Sequence, residues 1–187
     1  MEEELDFIME STEEAMQHAI THLEKEFVNI RAGKASPAML GSVFVDYYGS
    51  QTPLSQVSNL ATPDARTITV TPWEKNMLHP IEKAIMIANI GFNPMNNGES
   101  IIINVPPLTE ERRRDLAKQA KMHAEDAKVS IRNCRKDANT EIKKLEKNGL
   151  SEDICKSAEE DVQQLTNSFT RKVDELLTVK EAEIMKV

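Results

Sequence analysis

Aromatic residues make up only 4% of this 187-residue chain, with a single tryptophan. Sandwiches and barrels draw heavily on aromatic and β-branched side chains, so this scarcity, beside 29% charged residues, argues against an all-β fold and for long amphipathic helices. Cysteine is almost missing. Cys134 and Cys155 form no CxxC pair and accompany four scattered histidines, which argues against a disulfide framework and against a structural zinc site. No uncharged apolar run approaches the roughly 18–20 residues that cross a bilayer, and the acidic start Glu2-Glu3-Glu4 is opposite in sign to the opening of a signal peptide. The expectation is a soluble protein of a reducing cytoplasm.

Glycine and proline are nearly missing from both ends. All eight prolines lie between Pro37 and Pro107, and five of the six glycines between Gly33 and Gly98. The flanks read as helix. Residues 2–30 carry Leu5, Met9, Thr12, Met16, Ala19, Leu23, Phe27 and Ile30 at 3-4 spacing with charges between. After Pro106-Pro107, Thr109 is placed to cap a second helix whose first turn holds Glu110 and Glu111. Ala124, Ala127, Ile131, Cys134, Ala138, Ile142 and Leu145 continue that helix to an Asn148-Gly149 stop. Ser151 then opens a third, carried by Ile154, Ala158, Val162, Leu165, Phe169, Val173, Leu176 and Ile184. Helices of about 28–40 residues at about 1.5 Å per residue form a rod roughly 40–60 Å long, and the short turn makes the last two antiparallel.

The middle segment has a different pattern. Val43–Tyr48 and Arg66–Thr71 are β-branched and aromatic runs, His79–Ile90 is amphipathic at helical spacing with Gly91 as stop, and Ile101–Val105 reads as a closing strand. The predicted class is therefore α+β: a discontinuous three-helix bundle, 1–30 and 107–187, with a small β/α/β domain inserted at 31–106. Two short linkers, near Arg31 to Ser36 and Val105 to Pro107, make a hinge of limited freedom.

The charge is unevenly spread. Residues 1–30 hold 1 basic and 9 acidic side chains, 31–106 hold 5 and 5, 107–148 hold 12 and 8, and 149–187 hold 5 and 9. One helix is basic in a protein of net charge -8. At about 100° per residue, Lys121, Lys128, Arg135, Lys136, Lys143 and Lys147 lie within about 60° of Arg132, with Arg135 on the border of the apolar face. A cationic ridge between acidic faces suits a polyanion, and RNA is the natural one. Arginine offers a two-pronged fork to phosphate or guanine, which singles out Arg132 and Arg135. A second cluster, Arg112-Arg113-Arg114, either meets RNA or pairs with Glu110, Glu111 and Asp115.

Signs of catalysis are missing. Gly33-Lys34-Ala35 fails the GxxxxGK[ST] pattern at two positions, because Val28 stands for glycine and Ala35 for Ser or Thr. No GxSxG elbow occurs. His18 and His22 are four apart but have no evident third ligand, Cys134 and Cys155 read as core, and Trp73 is expected to pack inside the small domain. No enzyme, metal or cofactor is expected. A coiled-coil adaptor binding an acidic protein is the competing class.

Four runs go further: Ile30-Arg31-Ala32-Gly33-Lys34-Ala35-Ser36-Pro37, Tyr47-Tyr48-Gly49, Pro107-Leu108-Thr109-Glu110-Glu111-Arg112-Arg113, and Arg132-Asn133-Cys134-Arg135-Lys136-Asp137-Ala138-Asn139. Together they closely resemble the ribosome recycling factor family, over the whole chain. The resemblance implies an L-shaped, monomeric, non-enzymatic translation factor. With elongation factor G, which hydrolyses GTP, such a factor splits post-termination ribosomes and frees mRNA and deacylated tRNA. It also implies contacts to large-subunit rRNA from Arg132, Arg135 and Lys136, and from Arg31, Gly33 and Lys34; the charge pattern adds Lys128, Arg112 and Arg113 to the candidate rRNA contacts. The hinge would comprise Gly33, Ala35, Ser36, Val105, Pro106 and Pro107. Lys34 and Lys136 stand where the family carries arginine, which keeps the charge but loses the fork.

Overall fold

The 3-4 apolar spacing at both ends of the chain becomes three long helices, and the breaker-rich middle becomes two small sheets around one short helix. In the computed structural model, which describes residues 1–30, 33–88 and 93–186, the elements run as follows. They are α1 (Glu2–Asn29), β1 (Phe44–Tyr47), β2 (Ser50–Pro53), β3 (Ser58–Asp64), β4 (Thr67–Pro72), α2 (Leu78–Ala88), β5 (Pro94–Asn96), β6 (Ile101–Asn104), α3 (Glu110–Lys147) and α4 (Glu152–Met185). The chain divides into a helical unit, Met1–Ala32 with Glu110–Val187, and a smaller unit, Gly33–Thr109. The expected stop at Gly91 and the last residues of the expected His79–Ile90 helix lie outside the described residues.

In the helical unit α1, α3 and α4 all pack on one another. Their seam is formed by Met16, Ile20, Leu23 and Phe27 from α1, by Ala120, Ala124, Ile131 and Ile142 from α3, and by Ala158, Val162, Phe169 and Val173 from α4. The predicted faces differ at a few positions. Ile20 is buried more fully than Ala19, and Cys155 and Thr166 are buried where Ile154 and Leu165 were expected. Ile154 is 38% exposed. A small rotation of α4 about its axis is enough to exchange neighbours at the edge of an apolar stripe. Thr166 is tolerated inside because its hydroxyl donates to the Val162 carbonyl at 2.8 Å.

The turn between α3 and α4 is a left-handed helix stop. Gly149 has φ of +105°, the Gly149 N–H bonds the Glu146 carbonyl, and the Leu150 N–H reaches back to the Leu145 carbonyl at 3.0 Å. Beside it, Ile142, Leu145, Leu150, Cys155, Ala158 and Val162 close the end of the rod. Ile142 is fully buried, so Ile142→Ala is expected to cost about 2–5 kcal/mol, read as a lowered urea midpoint of the helical signal.

The smaller unit has a two-stranded sheet, β1-β2, and a four-stranded sheet in the order β3-β4-β6-β5, with every pairing antiparallel. Three of these strands were not expected. β2 (Ser50–Pro53), β3 (Ser58–Asp64) and β5 (Pro94–Asn96) are polar or proline-bearing, and β3 and β5 are the edges of the larger sheet. Their identity as strands comes from backbone pairing with a neighbour, which leaves no apolar alternation to read. Ile68 and Val70 of β4, Ile101 and Ile103 of β6, and Ile81 and Ile85 of α2 share one core.

The Tyr47-Tyr48-Gly49 run forms the β1–β2 turn. Tyr48 and Gly49 both have positive φ, at 49° and 85°, as a tight hairpin requires, and the Gly49 N–H donates to Asp46 Oδ1 at 2.9 Å. Both tyrosine hydroxyls donate to Glu74, at 3.3 and 3.2 Å. Between β3 and β4 a second turn is held by Asp64, whose carboxylate accepts the Arg66 N–H at 2.8 Å and the Thr67 hydroxyl at 3.0 Å. The Arg66 backbone bond, followed by the Thr67 hydroxyl, holds the Asp64 carboxyl below its usual value. Its contribution to stability is therefore present above the ordinary aspartate value of about 3.9 and is lost as pH falls through the lowered one. Carbon-13 NMR titration of Asp64 should show a midpoint below the ordinary aspartate value.

Candidate nucleic-acid interface

The basic ridge lies along α3, on the side away from the seam. Arg132 and Lys136 are exposed, as are Lys121, Lys143 and Lys147. Among the described residues none of these five has a carboxylate within ion-pair distance, whereas the neighbouring Lys144 is tied to Glu141 at 2.6 Å. An unpaired surface cation is fully available to a phosphate, because no internal bond has to break first. Lys118 belongs to the same set. It is exposed and unpaired among the described residues, and about 100° per residue puts it about 40° from Arg132, so helical spacing alone places it on the ridge. From Lys118 to Lys147 the ridge is about 44 Å long at about 1.5 Å per residue.

Arg135 is half-buried, as its place on the border of the apolar face predicts. Its Nη1 donates to Gln163 Oε1 at 3.3 Å, and Gln163 Nε2 in turn donates to Asn167 Oδ1 at 2.9 Å. A neutral amide on α4 thus orients the guanidinium without neutralising it, and its other donors stay available. Lys128 is different. Its Nζ lies 2.7 Å from Asp174 Oδ1 on α4 and 3.7 Å from Glu125 Oε1. The Asp174 bond is the main reason its pKa is raised. Its charge is largely spent inside the helical unit, so the structure separates it from the free cations that surround it in sequence.

The two readings of Arg112-Arg113-Arg114 divide by residue. Arg114 Nη2 meets Glu110 Oε1 at 2.7 Å, one turn back on α3. Arg113 is half-buried, and its Nε is enclosed without a hydrogen-bond partner. Arg112 is exposed. Arg31 lies outside the described residues. Lys34 is exposed and has no ion-pair partner among the described residues.

The chain segments entering and leaving the smaller unit meet at Gly33 and Leu108. Gly33 has φ of +79°, and a Cβ added there would lie 2.8 Å from Leu108 Cγ. A residue other than glycine would meet both a rare backbone conformation and an occupied space. Beyond that point the segments are held. The Ala35 N–H donates to the Ala65 carbonyl at 2.8 Å and the Val105 N–H to the Arg66 carbonyl at 2.7 Å, so both are pinned to one turn. Ser36 caps a short 3-10 turn at Pro37–Leu40, its hydroxyl accepting the Ala38 N–H at 3.3 Å. Ala35, Ser36 and Val105 are thus built into the smaller unit, and Pro106 and Pro107 are exposed.

The remaining candidates fall into place. Trp73 was expected inside but is 68% exposed. The buried positions of β4 are Ile68, Val70 and Pro72, so residue 73 falls on the opposite parity and faces out. Cys155 is buried, while Cys134 is only half-buried. His18 and His22 are exposed beside Glu14 and Glu26. No group of three metal-ligating side chains occurs among the described residues, and none of their helices is long and apolar enough to cross a membrane.

Comparison with known proteins agrees with this architecture. The sequence profile described as "Ribosome recycling factor" matches residues 23–185. The chain is 78% identical to a ribosome-recycling factor of Flavobacterium johnsoniae over 187 residues, covering all of both chains. It is 50% identical to that of Bacillus licheniformis over 181 residues, covering 96% of this chain and 98% of the relative. It is similar to the solution structure of a ribosome recycling factor with a TM-score of 0.76 at 37% identity, covering 98% of each chain. A second similar structure is the recycling factor in models of the T. thermophilus ribosome recycling factor and the E. coli elongation factor G bound to the E. coli post-termination complex. There the TM-score is 0.61 at 42% identity, covering 97% of this chain and 99% of the other. With relatives matching it from end to end, a chain that inserts a small α+β unit between the first and second helices of a three-helix unit belongs to the ribosome recycling factor family.

Proposed function

We propose that this protein acts with elongation factor G and GTP to split post-termination ribosomes into subunits, and that it binds large-subunit rRNA through the ridge on α3. The observation that carries the rRNA reading is the row of cations, Lys118, Lys121, Arg132, Lys136, Lys143 and Lys147, unpaired among the described residues, in a protein whose net charge is -8. Neutralising phosphates with such a row releases condensed counter-ions and makes binding steeply salt-dependent. The acidic α1 and α4 repel RNA, so docking is confined to one face. Arg135, steadied by Gln163, supplies the directional contact, and Arg132 and Lys136 flank it.

In this reading the factor carries out no covalent step. Elongation factor G hydrolyses the GTP and pushes on the smaller unit, which turns about Gly33 and the Pro106-Pro107 segment while α3 stays on the rRNA. The similarity to a recycling factor placed with elongation factor G on a post-termination complex supports this partner set. The pinning of Ala35 and Val105 to the Ala65-Arg66 turn supports a joint confined to the few residues outside it.

The test is light scattering of post-termination ribosomes mixed with the protein, matched elongation factor G and GTP. Scattering is expected to fall on addition of all three and to stay constant when any one is left out. A constant signal with all components present would overturn the recycling reading.

A further inference from the structure

The ridge leaves one feature of the helical unit unused. Between the first half of α1 and the last third of α3 runs a groove of about 640 Å³, within the range of about 300–1,000 Å³ typical of ligand clefts. It exists because the facing residues are small. Ser11, Thr12 and Ala15 on α1 look across to Cys134 and Ala138 on α3, and no large side chain fills the space. Its apolar lining includes Ile8, Leu145 and Phe7, and Phe7 is 69% exposed although the seam lies beside it. Four carboxylates stand around this lining: Glu3 and Glu4 from α1, Asp137 and Glu141 from α3. The terminal ammonium lies 3.7 Å from Glu4 and Lys144 lies 2.6 Å from Glu141, while Glu3 and Asp137 have no ion-pair partner among the described residues.

We infer that this groove docks a lysine- and arginine-rich segment of a ribosomal protein, inserting an aliphatic side chain between Phe7 and Cys134 while its cations meet Glu3 and Asp137. The charge selects the occupant. RNA is repelled by the carboxylates of Glu3 and Asp137, unpaired among the described residues, and an acidic peptide likewise. An apolar anchor with flanking cations satisfies both the lining and the rim, in the manner of an amphipathic segment in a groove. Proteins that pack against rRNA are rich in Lys and Arg for the same electrostatic reason that makes the ridge basic. This source rests on the ribosome-bound reading above. The arrangement gives one rod two binding faces of opposite charge, the ridge for rRNA and the groove for protein.

Two measurements test it. The first titrates the purified protein with a fluorescein-labelled peptide of leucine and lysine at helical 3-4 spacing, read by anisotropy. Saturable binding is expected, weakened at least about tenfold by Ser11→Phe, which fills the groove, and by the charge reversal Glu3→Lys with Asp137→Lys. Equal binding of a scrambled peptide of the same composition, or indifference to Ser11→Phe, would overturn the groove. The second places a photo-cross-linking residue at the exposed position 11 and irradiates the factor on large ribosomal subunits. A conjugate that survives ribonuclease is expected; one destroyed by ribonuclease, or none while the factor is bound, would overturn the ribosomal source. If the factor fails to bind subunits, the recycling reading falls, and the peptide titration still decides the groove.

Discussion

Replacing Arg132 and Arg135 together by alanine is expected to abolish subunit splitting at working concentrations and to weaken binding to large subunits by roughly thirtyfold or more, since each good arginine fork contributes about 1–3 kcal/mol. The salt dependence should change with it. Each lost phosphate contact removes about 0.7–0.9 from the slope of log K against log salt, so the double variant binds more weakly and with a shallower slope. Lys128→Ala is the internal contrast. Its Nζ is held 2.7 Å from Asp174, so its removal should leave the slope nearly unchanged and cost at most about 1 kcal/mol of stability, as a partly exposed ion pair does. Arg135→Lys separates charge from geometry, because it keeps the cation and loses both the fork and its planar bond to Gln163. Circular dichroism and subunit pelleting across a salt series provide the readouts. A slope equally reduced by Lys128→Ala would mean that the Asp174 pair opens on the ribosome.

The second large effect is expected at Gly33. Gly33→Ala puts a side chain at φ of +79°, 2.8 Å from Leu108 Cγ. The dihedral alone costs about 1–2 kcal/mol, and the overlap is relieved only by moving Leu108 or the backbone. Imposed on the proposed swing of the smaller unit, that cost is expected to slow splitting roughly tenfold, while the α3 ridge stays intact and ribosome binding is expected to be retained. The pair Gly33→Ala with Leu108→Ala makes the cause visible. It removes the overlap and keeps the dihedral strain, so partial recovery assigns the remainder to φ. Loss of binding and splitting together in Gly33→Ala would show that Gly33 supports the rRNA contact and not the swing.

The two effects differ in how far the sequence alone could foresee them. The place of Arg132 and Arg135 on one side of α3 was legible because charge and helical period are local properties: a residue's angle on its own helix follows from its number. The same test reaches Lys118. What it cannot reach is whether a cation on the ridge is free. Lys128 and Asp174 are 46 residues apart, and their pairing depends on how α4 is rotated and staggered against α3. Arg135 and Gln163 meet through the same stagger. Gly33 was a hinge candidate from the motif around it. Its steric partner Leu108 became known only when the two linker segments were seen side by side.

The smaller unit divides in the same way. β1, β4, α2 and β6 were legible, because each puts apolar residues on one face of the core. The strands β2, β3 and β5 were not, since they contribute backbone hydrogen bonds more than apolar side chains. Trp73 misled for a related reason, since a large apolar residue ordinarily seeks the core, but strand parity at Pro72 turns it outward.

By itself, then, the sequence determined the boundaries of the three long helices, the left-handed stop at Gly149, the interruption of the three-helix unit by a breaker-rich segment and the sign of charge along each helix. These follow from the period of apolar residues, from turn chemistry and from composition, all of which act within a few residues. Only the tertiary structure decided which cations remain unpaired, that Ala35 and Val105 share one turn, that Gly33 abuts Leu108, and that small side chains of α1 and α3 leave an acid-rimmed groove. Those are distances between residues far apart in the chain, fixed by the packing of whole helices and strands, and no local pattern encodes them.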